Sequence, residues 1–258
     1  MKTLYLDCFS GISGNMFVGM LLNGGVLFDQ YQEAMGKLGI DGYSLIYEGV
    51  QKRGIQATYY NVALEDHHHH DYDDHEHAHH HHHAHRGLPE IRDIIQKADI
   101  SDAVKAKSLA VFQALGEAEA KVHGVSIDEI HFHEVGAIDC ILDIVGTLWC
   151  LDYLGIEQIG VSALHVGSGF VECAHGRMPV PAPATAELLV GLPSYATDVK
   201  GELVTPTGAA LVKTLATHVG PRPKDFVDKK IAYGAGTKDL VIPNVLRGYL
   251  GEAPAWQH

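Results

Sequence analysis

The sequence predicts an α/β protein in which helices pack on a mixed sheet, with a disordered His-rich insertion and a sheet topology that stays open. Helical and strand patterns alternate along the whole chain, which is typical of this class. Hydrophobic residues make up 46% of the 258 residues, so a sizeable core is possible. Residues 65–86 hold almost no apolar side chains and cannot join that core.

The part before the insertion begins with an apolar strand at residues 3–6, a glycine-rich turn and a short helix with a Gly stop. Residues 31–38 suit a second helix. Residues 43–50 and 55–64 alternate as strands do, and Arg53 and Gly54 between them predict a hairpin turn.

After the insertion, residues 87–97 predict a helix, and a longer one begins after Ser101, a suitable N-cap, and stops at Gly124. The segment 137–154 is apolar nearly all round and therefore predicts a buried helix. The apolar stripe of the longer helix consists of Val104, Val111, Phe112, Leu115, Ala118 and Val122.

Towards the C-terminus, residues 158–166 and 169–173 predict two strands around a Gly-Ser-Gly turn. A proline-rich stretch leads to a short helix, and a further helix carries Pro206 in its first turn, where proline is tolerated. The segments 226–233 and 245–250 predict the last strands. We therefore divide one α/β domain into 1–64 and 87–251, separated by the insertion 65–86 and followed by a tail, 252–258.

Charge and composition narrow the classes of function. The formal net charge of −13 argues against a nucleic-acid surface and is compatible with cation binding. The four cysteines are scattered, so neither a zinc knuckle nor a disulfide framework is indicated. No signal peptide is evident, and glycines and asparagines interrupt the apolar stretch 11–28, so we expect a cytoplasmic protein without a membrane partner.

The insertion predicts weak, reversible binding of nickel or a similar late divalent metal, because imidazole is a preferred ligand of such ions. The alternative is a solvated linker that binds metal incidentally. The twelve histidines concerned are His67, His68, His69, His70, His75, His77, His79, His80, His81, His82, His83 and His85.

A second candidate site, for a metal or a cationic substrate, follows from the sequence HFHEVGAIDCILD. His131 and His133 point the same way in an extended segment, and Glu134 adds an oxygen donor. Asp139 and Asp143 share one face of an otherwise apolar helix, where buried carboxylates need a cation or hydrogen-bond donors. The structural alternative is that both acids merely lie near the start of the helix, where the helix dipole favours negative charge.

A third candidate is the turn DCFSGISGN, in which Ser10, Gly11, Ser13 and Gly14 would bind phosphate through a loop and a helix N-terminus. A tight strand-to-helix turn explains the same pattern, and Asp7 could instead ligate a metal. The loop Thr205-Pro206-Thr207-Gly208 is a similar but weaker candidate. His165 and His175 lie near glycine turns and are further candidate ligands, although each alone is more often structural.

The motifs DCFSGISGNM, IHFHEVGAIDCILDIVG, HGRMPVPAPATAELL, ELVTPTGAA and YGAGTKD together resemble the LarC family of nickel-insertion proteins in nickel-pincer nucleotide biosynthesis. The resemblance extends from residue 1 to about residue 251, and a His-rich insertion is itself typical of the family. One departure is Asn15, where the family motif has Asp, so any metal-binding role of that position is in doubt.

The resemblance implies a nickel chelatase-type lyase of lactate racemase maturation. It would insert nickel(II) into pyridinium-3,5-bisthiocarboxylic acid mononucleotide, with loss of the ring proton. It also implies CTP with a divalent metal, bound by a separate C-terminal part of the family protein that would be a partner of this chain.

On this reading, His131, His133 and Glu134 take nickel from the tract, and Asp139 or Asp143 helps to bind it or accepts the ring proton. Two other functions stay open. One is a non-catalytic nickel reservoir or metallochaperone, which the tract alone would support. The other is a metal-dependent hydrolase built on the cluster of HFHE with Asp139 and Asp143.

Overall fold

The computed structural model describes residues 1–65, 86–130, 132, 138–173 and 176–256. The predicted insertion lies outside these ranges, apart from its two end residues Glu65 and Arg86. The predicted metal ligands His131, His133 and Glu134, and also His175, lie outside them too.

Within the described ranges the chain forms thirteen strands and seven α-helices in mixed order. The helices are α1 (Gly14–Asn23), α2 (Phe28–Gly36), α3 (Leu88–Lys97), α4 (Asp102–His123), α5 (Ile138–Leu154), α6 (Pro183–Leu188) and α7 (Pro206–Leu215). The strands are β1 (Lys2–Asp7), β2 (Tyr43–Lys52), β3 (Ile55–Leu64), β4 (Gln158–Val161), β5 (Leu164–His165), β6 (Gly167–Ser168), β7 (Phe170–Cys173), β8 (Gly176–Pro179), β9 (Ser194–Tyr195), β10 (Gly201–Glu202), β11 (His218–Val219), β12 (Val227–Ala235) and β13 (Val245–Glu252).

Seven strands form the main sheet, in the order β11-β4-β1-β13-β12-β3-β2. The pairs β1–β4, β4–β11 and β3–β12 are parallel, whereas β13 runs antiparallel to both of its neighbours. The predicted α/β class with a mixed sheet is therefore confirmed. The carboxyl ends of β1 and β4 lie side by side, which is where open α/β sheets commonly bind ligands.

Helices cover one face of this sheet. Leu4 and Leu6 of β1 are buried in the large core together with residues of α1 and α5, while the intervening Tyr5 belongs to a small cluster on the opposite face. Helix α1 lies close to the sheet because glycines stand beneath it: a Cβ at Gly234 would collide with backbone atoms of Met16. This close packing fixes where α1 begins relative to β1.

Several helix boundaries lie where local signals in the sequence predicted them. Ser101 caps α4 by accepting a hydrogen bond from the Val104 amide, and Gly124 adopts the left-handed conformation at its end. Thr205 caps α7 in the same manner, with Pro206 at its first position. The predicted stripe of α4 is buried except for Val122, which is 40% exposed because it lies at the helix end beside an open cleft.

The prediction of two strands around a Gly-Ser-Gly turn was wrong. Residues 158–168 form three short strands, β4, β5 and β6, and β6 includes Gly167–Ser168 itself and pairs with β10. Gly167 and Gly169 both have φ near +90°, so they redirect the chain on either side of Ser168 instead of closing a hairpin. β7 pairs with β8 instead.

Candidate functional site

Three chain segments meet beyond the carboxyl end of β1: the loop 8–13, the start of α5 and the start of α7. Ile12 forms an isolated bridge with Val204, and its amide donates to the Leu203 carbonyl over 2.9 Å. The Cys140 thiol of α5 hydrogen-bonds the Thr207 hydroxyl of α7 over 3.2 Å. The starts of α1, α5 and α7 therefore pack against one another at one place, which we call the triple junction.

The β1–α1 loop begins helix α1 with a side-chain cap. The Ser13 hydroxyl accepts a hydrogen bond from the Met16 amide and lies 2.6 Å from Asn15 Oδ1, to which it donates. Ser10 is fully buried, and its Oγ has no hydrogen-bond partner within the described ranges. The Ser13 hydroxyl, one of the two predicted to bind phosphate, therefore already caps helix α1. The other, the Ser10 hydroxyl, forms no hydrogen bond with the described residues.

The glycines of this loop are required by close packing. Gly11 has a φ of +77°, and a Cβ there would collide with the backbone of Leu203. At Gly14, a Cβ would come within 2.6 Å of Asp143 Oδ2 and 2.9 Å of Thr207 Cγ2. The start of α1 thus lies directly against the carboxylate of α5. Whether Ser10, Gly11, Ser13 and Gly14 also bind phosphate stays a prediction.

The two predicted carboxylates of α5 have different surroundings. Asp139 is exposed in the first helical turn, whereas Asp143, one turn later, is partly buried. Its Oδ1 is inaccessible to solvent and has no hydrogen-bond partner among the residues that the structure describes. Burial raises the pKa of the Asp143 carboxyl well above its usual value, and the negative charge of Asp139 raises it further.

Two buried tyrosines lie near enough to Asp143 for its charge to raise their pKa values, and the sequence did not indicate either of them. The Tyr31 hydroxyl donates to the Tyr60 hydroxyl over 2.7 Å, and both side chains are fully buried. Tyr31 fits against α5 because position 146 is glycine, where a Cβ would collide with the tyrosine hydroxyl. The signal available in the sequence was Gly146, which continues the face of Asp139 and Asp143 with no bulk.

Other predicted ligands near β1 are already engaged. Asp7 forms an ion pair with Arg247, whose Nε donates to Oδ2 over 3.0 Å. His165 is buried, with Nδ1 2.7 Å from the Phe9 carbonyl and Nε2 2.8 Å from the Thr197 hydroxyl, and its ring stacks on Tyr195. Because both ring nitrogens are used, His165 is structural in this arrangement.

Within the described ranges, no group of three or more His, Cys, Asp or Glu side chains is close enough to hold a metal ion. A metal site with three such ligands therefore needs residues outside those ranges. The predicted ligands at positions 131, 133 and 134 are of that kind, and Asp139 and Asp143 follow them closely along the chain. Among the helices that the structure describes, none is long and apolar enough to cross a membrane.

Comparison with known proteins finds relatives that are named for nickel insertion. A protein in Desulfitobacterium hafniense, named pyridinium-3,5-bisthiocarboxylic acid mononucleotide nickel insertion protein, is 50% identical over 98% of this chain and 59% of its own length. A protein of the same name in Alkaliphilus metalliredigens is 46% identical over 96% of this chain and 60% of its own. The chain thus spans about three fifths of the length of these relatives.

No solved structure matches the chain. The family model described as "Nickel insertion protein" matches residues 4–258, nearly the whole sequence. With half of its residues identical to those of a relative over almost its full length, the chain belongs to the nickel insertion protein family.

Proposed function

We propose that this chain carries the nickel-handling and proton-accepting groups for nickel insertion into pyridinium-3,5-bisthiocarboxylic acid mononucleotide. The names of its relatives support the substrate. The observation that carries the proposal is the environment of Asp143 at the triple junction. One of its carboxylate oxygens is buried and has no hydrogen-bond partner among the described residues. Burying such a group costs free energy, so a structural role alone explains it poorly.

The reaction needs a proton acceptor. Insertion joins nickel(II) to two thiocarboxylate sulfurs and one ring carbon. The carbon–hydrogen bond breaks, its electron pair forms the carbon–nickel bond, and the hydrogen leaves as a proton. Nothing is oxidised or reduced, so the protein has to bind the metal and remove that proton.

Asp143 suits the second task. A raised pKa brings a carboxylate closer to the proton affinity that a general base needs near neutral pH. Its Oδ2 lies against Gly14 and so towards the triple junction, whereas Oδ1 is buried. We assign Asp143 as the group that accepts the ring proton, and Asp139, exposed one turn earlier, as an auxiliary acid at the entrance.

Nickel is assigned to the residues that precede α5. His131, His133 and Glu134 would take the ion from the histidines of the insertion and present it to the substrate. Ser10, Gly11, Ser13 and Gly14 would hold the phosphate of the mononucleotide at the start of α1, where amide dipoles favour an anion. The start of α1 lies against Asp143 at Gly14, and this contact is our reason for assigning the proton acceptor and the phosphate-binding loop to one site.

The chain spans about three fifths of the relatives' length, and the family resemblance includes a further C-terminal part. We assign CTP and its divalent metal to that C-terminal part, which would act as a partner of this chain in the cytoplasm. In reaction terms the assembled protein is a chelatase-type lyase. Its product would be the nickel-pincer cofactor that lactate racemase maturation requires.

The test is single-turnover insertion, with the C-terminal part, CTP and saturating nickel and substrate supplied, and the product followed by mass spectrometry. Asp143→Asn should lower the rate by about 100-fold or more, because the amide cannot accept the proton. Asp139→Asn is the matched control on the same helix face and should cost about tenfold or less. An Asp143→Asn protein that inserts nickel at the parental rate would refute the assignment.

A separate arm tests the metal ligands. His131→Ala and His133→Ala should each abolish nickel transfer while the far-ultraviolet circular dichroism stays unchanged. If both variants insert nickel at the parental rate, the metal is held elsewhere and the loop 7–15 becomes the next candidate.

A further inference from the structure

A cleft of about 560 Å³ lies between the end of α4, the hairpin of β7 and β8, and the starts of α6 and α7. Its described lining residues include none of those that we assign to nickel insertion. It borders the triple junction at α7, where Pro206 lines the cleft and the next residue, Thr207, contacts the starts of α1 and α5. Pockets that bind small organic molecules typically have volumes of about 300–1,000 Å³, so this cleft can hold one.

The walls of the cleft are largely apolar. Val171 and Met178 are opposite each other in the hairpin, so their side chains share one face of it. Pro183 and Pro206 stand at the starts of α6 and α7 and add rigid surface. Val122, near the end of α4, is 40% exposed at the cleft. An apolar group of a ligand would therefore be buried here.

The charged groups of the cleft are acidic. Glu119 of α4 and Glu202 of β10 line it, and no lysine or arginine does so among the described residues. His123, one turn after Glu119, has its Nε2 3.5 Å from a carboxylate oxygen of Glu119, whose side chain is 20% exposed. Glu172 borders the cleft as well, although strand alternation directs its side chain to the other face of the hairpin. The potential in the cleft is therefore negative, and partial burial strengthens it because water screens the charges less.

We propose that this cleft binds a small organic cation, in which an ammonium or amidinium group is attached to an apolar body. The apolar body is buried between the hairpin and the two prolines, and the cationic group is attracted by Glu119 and Glu202. Charge complementarity selects this occupant, because the same two carboxylates repel phosphate and carboxylate groups. The proposal does not depend on the proposed function, since it concerns residues outside that site.

Three benzene derivatives of nearly the same shape separate the effect of charge from that of shape. At pH 8 benzamidine is a cation, benzamide is neutral and benzoate is an anion. Titrations of the whole chain, followed by saturation-transfer NMR, should give benzamidine a dissociation constant on the order of 1 mM, as expected for so small a ligand. Benzamide should bind at least about fivefold more weakly, and benzoate should not bind detectably. Equal binding of benzamidine and benzamide would overturn the proposal.

Variants that remove one negative charge identify the groups that attract the cation. Glu119→Gln and Glu202→Gln should each weaken benzamidine binding about fivefold and leave benzamide binding unchanged. Glu252→Gln is the matched control, because it removes the same charge from an exposed ion pair with Lys229. It should bind benzamidine as the parental chain does. An equal loss of affinity in all three variants would show that the overall negative charge attracts the cation, and it would overturn the assignment to the cleft.

An introduced lysine tests the location directly. Val122→Lys places an ammonium group at the cleft, where it competes with the ligand for the two carboxylates, so benzamidine binding should weaken about tenfold or more. Val125→Lys is the matched control, because Val125 is similarly exposed, at 43%, but does not line the cleft. Both side chains are well exposed, so both variants should fold, which circular dichroism checks. Parental benzamidine binding by Val122→Lys would place the cation elsewhere and overturn the proposal.

Discussion

Asp7 and Asp143 lie near the same end of β1, but only Asp7 has a cationic partner among the described residues. Asp7 accepts hydrogen bonds from Arg247, whose guanidinium also lies over the rings of Phe9 and Tyr249. Asp143 has a buried oxygen without a partner in the described part of the chain. A carboxylate paired with a guanidinium can stabilise a fold, whereas an unpaired buried one weakens it and marks a candidate functional site.

The largest expected effect comes from removing the ion pair between Asp7 and Arg247. Arg247→Met should lower the free energy of unfolding by about 3 kcal/mol, because it strands a partly buried carboxylate and removes two cation–π contacts. Urea denaturation measures this loss. Lys229→Met, which removes the exposed ion pair with Glu252, is the control and should cost less than about 1 kcal/mol. Equal losses of unfolding free energy in the two variants would mean that Arg247 stabilises the fold no more than an exposed ion pair does.

The next effect tests the packing around Asp143. Gly14→Ala should lower the free energy of unfolding by about 2 kcal/mol, because the added Cβ meets Asp143 Oδ2 and Thr207. Gly36→Ala is the matched helical control. A Cβ there meets nothing within 4 Å, so the protein should gain up to about 1 kcal/mol. If both alanines are equally tolerated, α1 does not lie tightly against the carboxylate.

The smallest effect has the opposite sign. Asp143→Asn should raise the free energy of unfolding at pH 7 by about 1 kcal/mol, since an amide is cheaper to bury than a carboxylate. The pKa of Asp143 is raised in the folded protein, so the folded state keeps a proton that the unfolded state has lost. Parental stability therefore falls as pH rises from 3.8 to that raised pKa, and the advantage of Asn grows over the same window. An advantage that is independent of pH would contradict the raised pKa.

The sequence predicted those features that depend on short-range chemistry. Ser101, Gly124 and Pro206 mark helix boundaries because caps and first-turn prolines act within one turn. The order of the strands was not predictable, because it depends on pairing between distant segments, as when β13 inserts between β1 and β12. The division of 158–168 into three strands likewise depends on a partner, β10, that follows some thirty residues later.

The candidate site was predictable to the same extent. Helical spacing placed Asp139 and Asp143 on one face, but the packing of other elements on α5, including α1 at Gly14, leaves Asp143 partly buried and Asp139 exposed. The tyrosine pair could not be inferred, because Tyr31 and Tyr60 lie on elements that meet only in the folded chain. Spacing identifies candidate residues, whereas burial distinguishes their roles.

The most direct test of Asp143 as proton acceptor is the pH profile of single-turnover insertion, with nickel and substrate saturating at each pH. A base acts in its ionised form, so the parental rate should rise tenfold per pH unit up to a pKa well above 3.8 and then level off. Asp143→Asn should be slow and lack that rise. A variant that keeps the parental rise would show that another group accepts the proton and would contradict the account.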